Sequence, residues 1–175
     1  KKSNYGMGVV TKATYDNGYV IDRYSPEKVE FGEWGESCSS MNIEHSFPKS
    51  WWGGDERQAY KDLYNLMPSD ASANRKKSNY GMGVVTKATY DNGVIKVGTG
   101  DSGKKMWQPS PEWQGDFARA YLYMATCYQD YAWVKEGLNS LETGDYPTLQ
   151  KWASDLYIKW AKQDPVSDLE AKRNN

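Results

Sequence analysis

At 175 residues the chain is the size of one domain and can bury one sizeable core, which leaves little room for a second. Lys and Arg total 22 against 23 Asp and Glu, a net charge of -1, and this excludes a strongly basic fold that coats nucleic acid by bulk electrostatics, so any phosphate binding must be local. The aromatic fraction of 14% is carried by 8 Trp and 14 Tyr against 3 Phe, so much of the apolar content brings a polar handle, and no run of about 18 apolar residues exists to cross a membrane.

Residues 1–18 are letter for letter identical to residues 76–93, with flanks that diverge at once. A structural repeat drifts at surface positions while keeping its core pattern, so this block reads as a recent duplication or a non-native insertion rather than as a solenoid unit. Tyr19-Val20-Ile21-Asp22 predicts a short strand, and Gly32, Gly35 and Ser39-Ser40 punctuate a loop before Met41-Asn42-Ile43-Glu44-His45. Residues 48–54 read as loop, 62–67 as a second short strand, and Ser69-Asp70 as caps for a helix through Ala71-Ser72-Ala73-Asn74-Arg75-Lys76-Lys77. From 84 to 106 the β-branched residues and the turn Asp91-Asn92-Gly93 predict a hairpin, with a Gly-rich loop at Gly98, Gly100 and Gly103.

The C-terminal third is predicted helical. Phe117, Ala120, Tyr121, Met124, Ala125 and Tyr128 recur at helical spacing after Pro111-Glu112, and Leu149, Trp152, Ala153, Leu156 and Trp160 make a second stripe that stops near Asp164-Pro165. Ser167-Asp168-Leu169-Glu170 has the capping-box pattern and predicts a third helix that the sequence cuts short. Cys38 and Cys127 are too few for a disulfide framework and lack metal-ligand spacing; two buried thiols and one bridge both fit.

His45 is the lone histidine, beside Glu44. Such a residue is more often structural than catalytic, although imidazole is the usual side chain for proton transfer near neutral pH. Its neighbours down the chain change the balance. Glu44-His45-Ser46-Phe47-Pro48, then Trp51-Trp52-Gly53-Gly54, then Asp62-Leu63-Tyr64-Asn65-Leu66-Met67-Pro68, then Ser72-Ala73-Asn74-Arg75-Lys76-Lys77-Ser78-Asn79 together resemble the bacterial endonuclease I family. The likeness runs over roughly residues 19–174 and includes Gly115-Asp116-Phe117-Ala118-Arg119-Ala120-Tyr121; the wider spacing is similar to the HNH layout of the His-Me finger nucleases.

The resemblance implies an α+β fold in which a ββα-metal finger is embedded in a mostly helical single domain with short strands, residues 1–175. It implies a divalent-metal-dependent endonuclease that hydrolyses phosphodiester bonds in DNA and RNA, and the absence of a helix-turn-helix, zinc-finger or basic recognition-helix pattern in the sequence points to little sequence specificity. His45 would be the general base, Glu44 and Asn74 the ligands of one Mg2+ (Ca2+ or Mn2+ as substitutes), and Lys77 a stabiliser of the leaving group where relatives often carry Arg. Arg75 and Asn79 would contact phosphate, and Asn65 would tie the loop between the two strands. This division suits the reaction, which needs a base for the attacking water, a cation to neutralise charge, and donors that position the backbone.

Each assignment has a plainer counterpart. The run Arg75-Lys76-Lys77 could be a solvated helix face, Asn65 a surface turn residue, and Trp51 and Trp52 base-stacking platforms or core, with packing expected for at least one. A non-catalytic aromatic-rich module for sugars or single strands and an inactive nuclease scaffold are the competing readings, separated from an enzyme by metal dependence. The family likeness further implies a secreted or periplasmic protein whose leader is removed before Lys1, a nucleic-acid partner, no membrane and no obligate protein partner. The family's further C-terminal helix is not in the sequence.

Overall fold

The structure is a computed structural model that describes residues 15–16, 19–30, 40–54, 56–131, 133, 140–142, 148–168 and 170–171. Most of the first copy of the duplicated block lies outside these residues, as do Cys38, Gly32, Gly35 and residues 172–175. Cys127 is described and is an exposed free thiol.

Strands β1 (Tyr15–Asp16), β2 (Tyr19–Val20) and β3 (Val29–Glu30) form a small antiparallel sheet. Between β2 and β3 the chain turns inward, burying Asp22, Arg23, Tyr24 and Ser25. Asp22 explains the turn: its carboxylate accepts the Tyr24 amide at 2.8 Å and, across the molecule, the Asp70 amide at 2.8 Å. Two charge-assisted bonds offset part of the cost of burying the acid, and burial still dominates, raising its pKa to about 6.

Strand β4 (Met41–His45) pairs antiparallel with β5 (Leu66–Asp70), His45 opposite Leu66 and Glu44 opposite Met67. Helix α2 (Ala71–Lys77) comes directly after β5, so the strand, strand, helix order that the family likeness implies is present, with Met41–His45, not itself predicted as a strand, as its first member. Its start is chemical: the Asp70 side chain accepts the Ser72 and Ala73 amides at 2.9 and 2.8 Å, capping two otherwise orphaned donors. The second strand lies later than the predicted 62–67, because Asp62 accepts the Tyr64 amide and its carbonyl accepts that of Asn65, closing 62–65 into a turn. Between the strands, the predicted loop 48–54 contains a 3-10 turn, Lys49–Trp52, and residues for which the sequence gives no prediction form a short helix α1, Gln58–Lys61. Trp51 and Trp52 are both buried, which holds the turn in place and removes both as open stacking platforms.

The predicted hairpin is the edge of a larger sheet. Strands β7 (Lys87–Asp91), β8 (Ile95–Thr99) and β9 (Lys105–Pro109) are antiparallel, and β6 (Gly81–Met82) joins β9 in parallel, giving the order β6-β9-β8-β7. At the β7–β8 turn the Asn92 side chain accepts the amides of Val94 and Ile95 and donates to the Tyr24 carbonyl at 2.8 Å. Gly98 is obligatory, since a Cβ there would lie 2.1 Å from the Lys87 carbonyl oxygen.

Helix α3 (Gln114–Cys127) packs against α4 (Lys151–Gln163), with short strands β10 (Leu141–Glu142) and β11 (Thr148–Leu149) leading in. Gly115 lets the start of α3 touch the end of α4: its amide donates to Asp164 at 2.8 Å, and a Cβ would collide with the Asp164 carbonyl. Arg119 takes Glu170 in a two-pronged contact and donates to the Ala161 carbonyl, while Ser167 accepts the Glu170 amide as the capping pattern foretells.

Asp22 yields a test. Its folded pKa lies above the ordinary 3.8, so the native state binds its proton more tightly than the unfolded chain does. Its contribution is therefore most favourable below about pH 4 and declines as pH rises toward 6, by roughly 2–3 kcal/mol at the usual conversion. Urea unfolding between pH 3.5 and 7 should show that decline, and Asp22→Asn should flatten it; an unchanged slope in the variant would assign the dependence elsewhere.

Candidate active site

Strand β4 ends on Glu44 and His45. Alternation along a strand sends neighbouring side chains to opposite faces, and here Glu44 meets α2 while His45 meets α1. The His45 Nε2 lies 2.9 Å from the Tyr60 carbonyl oxygen, which can only accept, so Nε2 carries the hydrogen and Nδ1 keeps its lone pair. The ring is fixed from two further sides, its centroid 4.7 Å from that of Tyr60 and 5.9 Å from that of Trp52. Burial pushes the imidazole pKa below its usual 6.5, and the positive charges of Lys49 and Lys77 act in the same sense; the Tyr60 carbonyl and Glu44 oppose without reversing it. The histidine is therefore neutral at neutral pH.

Lys77 is not on a solvated helix face. It is fully buried, its Nζ donating to Glu44 Oε1 at 2.7 Å and to the Ser78 carbonyl at 3.3 Å, over the Trp107 ring at 5.3 Å. The helix stops immediately after it at Ser78, whose φ of 53° puts a non-glycine residue in the left-handed region, a locally strained backbone beside the ion pair. Of the basic run only Arg75 and Lys76 are exposed.

Asn74 lies three residues before Lys77 on the same helical face, half-buried, and its side-chain amide makes no hydrogen bond among the described residues. Together with Glu44 it offers one carboxylate and one amide oxygen. Such donors suit a hard divalent cation that retains several waters, whereas no group of three or more His, Cys, Asp or Glu gathers among the described residues to make a protein-only cage. The residues present fit the expected ion.

The Asn65 side chain is wholly buried and closes the gap between the strands. Its Oδ1 accepts Ser46 Oγ at 2.9 Å and the Phe47 amide at 2.7 Å, and its Nδ2 donates to the Phe47 carbonyl at 3.1 Å. A surface turn is thereby excluded. Asn79 is exposed at the end of the helix and tied to the 3-10 turn: its carbonyl accepts Trp51 Nε1 at 3.2 Å and its amide reaches Ser50 Oγ at 3.4 Å. Arg75 projects into solvent.

The sequence offers no means of choosing the Tyr60 carbonyl as the partner of His45, because the group involved is common to every residue. Lys49 goes unnoticed in the same way; its ammonium stands 5.4 Å from the Tyr60 ring centroid, and the one available signal is a basic residue four positions after the histidine.

The family model for Endonuclease I matches residues 3–175. Two curated relatives are both called extracellular ribonuclease. The one from Bacillus subtilis (strain 168) is 30% identical over 164 residues, and the one from Bacillus amyloliquefaciens is 30% identical over 169; each alignment covers 89% of this chain and 52% of the relative. The chain thus spans about half the length of the curated relatives it matches.

Removing the Asn65 clamp strands two buried backbone groups of Phe47. Asn65→Ala should cost about 1–3 kcal/mol, each kcal/mol lowering the melting temperature by about 2–4 °C. Calorimetry checks this, and an unaltered melting temperature would deny the clamp its structural role.

Proposed function

The chain belongs to the endonuclease I family, and from that membership and the setting of His45 we propose that it is a divalent-metal-dependent endonuclease. Its substrates are DNA and RNA, cut at phosphodiester bonds with little sequence preference. The observation that carries the reading is the His45 to Tyr60 carbonyl bond: it leaves Nδ1 unprotonated and oriented, as a general base must be. The 30% identity to proteins named extracellular ribonuclease favours RNA among the substrates and secretion as the setting. No helix among the described residues is long and apolar enough to cross a membrane.

In the proposed reaction Nδ1 of His45 takes a proton from water as its oxygen attacks phosphorus, and the ester bond on the far side breaks. Glu44 and Asn74 would hold a Mg2+ ion, which when bound supplies positive charge to the phosphate and the departing oxygen. Lys77 fixes one oxygen of Glu44 and adds a buried positive charge on the leaving-group side. Arg75 and Asn79 contact the backbone of the substrate from the exposed end of α2. No base-reading helix is invoked, which agrees with broad specificity.

Plasmid nicking and RNA hydrolysis, each run with Mg2+ and with excess chelator, test the reading; cleavage indifferent to chelator, or none with metal, would reject it. His45→Ala should lower the rate by about 10²- to 10⁴-fold while the fold persists. Glu44→Gln and Asn74→Ala should instead weaken calorimetric cation binding, and intact binding in both would move the metal site elsewhere.

The pH profile is set by the lowered imidazole pKa. Protonated His45 cannot accept a proton, so activity should rise through one ionisation below pH 6.5 and stay level through pH 8. A midpoint above 7 would remove His45 from the role of base.

A further inference from the structure

The positive charge that the site turns inward leaves the substrate poorly served. Lys77 spends its ammonium on Glu44 and the Ser78 carbonyl, and Lys76 lies over the Tyr90 ring of β7 at 5.9 Å. On the other flank stands Lys49, exposed, the first residue of the 3-10 turn and four positions after His45. Its ammonium sits 5.4 Å from the centroid of the Tyr60 ring, which is 4.7 Å from the imidazole centroid and belongs to the residue whose carbonyl orients His45. Among the described residues it has no carboxylate partner.

The turn that carries it is rigid. Trp51 and Trp52 are buried, Pro48 precedes it, and Gly53 closes it at φ 87° with its amide on the Ser50 carbonyl. A flexible, unpaired ammonium on a fixed base beside the proposed general base suits a backbone phosphate, since lysine is a point charge that grips oxygen without reading bases. Its charge already reaches the imidazole electrostatically, as does that of Lys77. We infer that Lys49 binds the phosphate next to the scissile one, on the His45 side of the site, and so sets the register of the nucleic-acid strand. The inference rests on the nuclease reading and adds a substrate-positioning residue to it.

A chimeric oligonucleotide tests this directly. It carries one phosphodiester, with neighbouring linkages made as charged, cleavage-resistant phosphorothioates in one version and as neutral methylphosphonates in the other. On the charged version Lys49→Gln should raise KM about three- to tenfold with kcat little changed, and Lys49→Arg should recover most of the loss. On the neutral version wild type and Lys49→Gln should coincide, because the two deletions remove one contact. On a natural strand the dependence of log binding on log salt should fall by about 0.7–0.9 in Lys49→Gln. Equal KM values on the charged version would overturn the inference, as would a loss that persists on the neutral one, which would place Lys49 on the scissile phosphate or the imidazole. Lack of metal-dependent cleavage by the wild type would sink the nuclease reading together with this inference, whereas wild-type cleavage without a Lys49 effect would sink the inference alone.

Discussion

A lysine ammonium withdrawn from water must meet an anion, and that requirement at Lys77 organises the site. An unpaired buried charge costs several kcal/mol, so the helix bearing Lys77 can dock only where a carboxylate faces it. Glu44 supplies one at 2.7 Å, the Ser78 carbonyl takes a second donor, and the Trp107 face covers the remainder. One residue thereby joins α2, β4 and β9. Because Glu44 and His45 are consecutive on β4, fixing the first fixes the second, and Asn74 lies one turn before Lys77 on the helix that the same contact docks.

The tyrosines serve the same region. Irregular backbone around a site has carbonyls without ladder partners, and a phenol can enter an apolar core and still donate to them. Tyr121, fully buried in α3, donates to the Ser46 carbonyl at 2.7 Å, one residue past His45. Tyr157 of α4 donates to the Met82 carbonyl at 2.8 Å, just after the helix and turn that bear Asn74, Lys77 and Asn79. Tyr123 and Tyr128 both donate to Asp62 and hold the turn that precedes Asn65. Tyrosine's predominance over phenylalanine is thus a consequence of building strand ends and turns against helices.

Elements whose cause is local are legible in the sequence. Asp70 as the cap of α2, the Asp91-Asn92-Gly93 turn, the two helical stripes and the Ser167 cap all depend on residues within four positions of one another. The late start of β5 is hidden because Leu63, Leu66 and Met67 look alike on paper, while the Asp62 turn separates them in space. Lys77 misleads for the opposite reason. A basic run reads as solvated, and nothing local says that its third member lies one turn from buried Ala73 and faces Glu44, which is 33 positions away. The Asn65 clamp is expected through the family likeness, and the polar atoms it satisfies are those the turn leaves open.

If, as the family likeness implies, arginine often stands at the Lys77 position in relatives, lysine there changes more than side-chain length. A guanidinium presents five donors in a fixed fork, too many to satisfy within a site where only Glu44 and the Ser78 carbonyl accept, so some would have to face outward to solvent or phosphate. An ammonium has three, two of which are bonded internally. Under the proposed function, lysine at this position closes the inner pair and leaves contact with the substrate backbone to cations outside it. The result is a fixed charge buried beside Glu44, with Lys49 and Arg75 exposed to solvent.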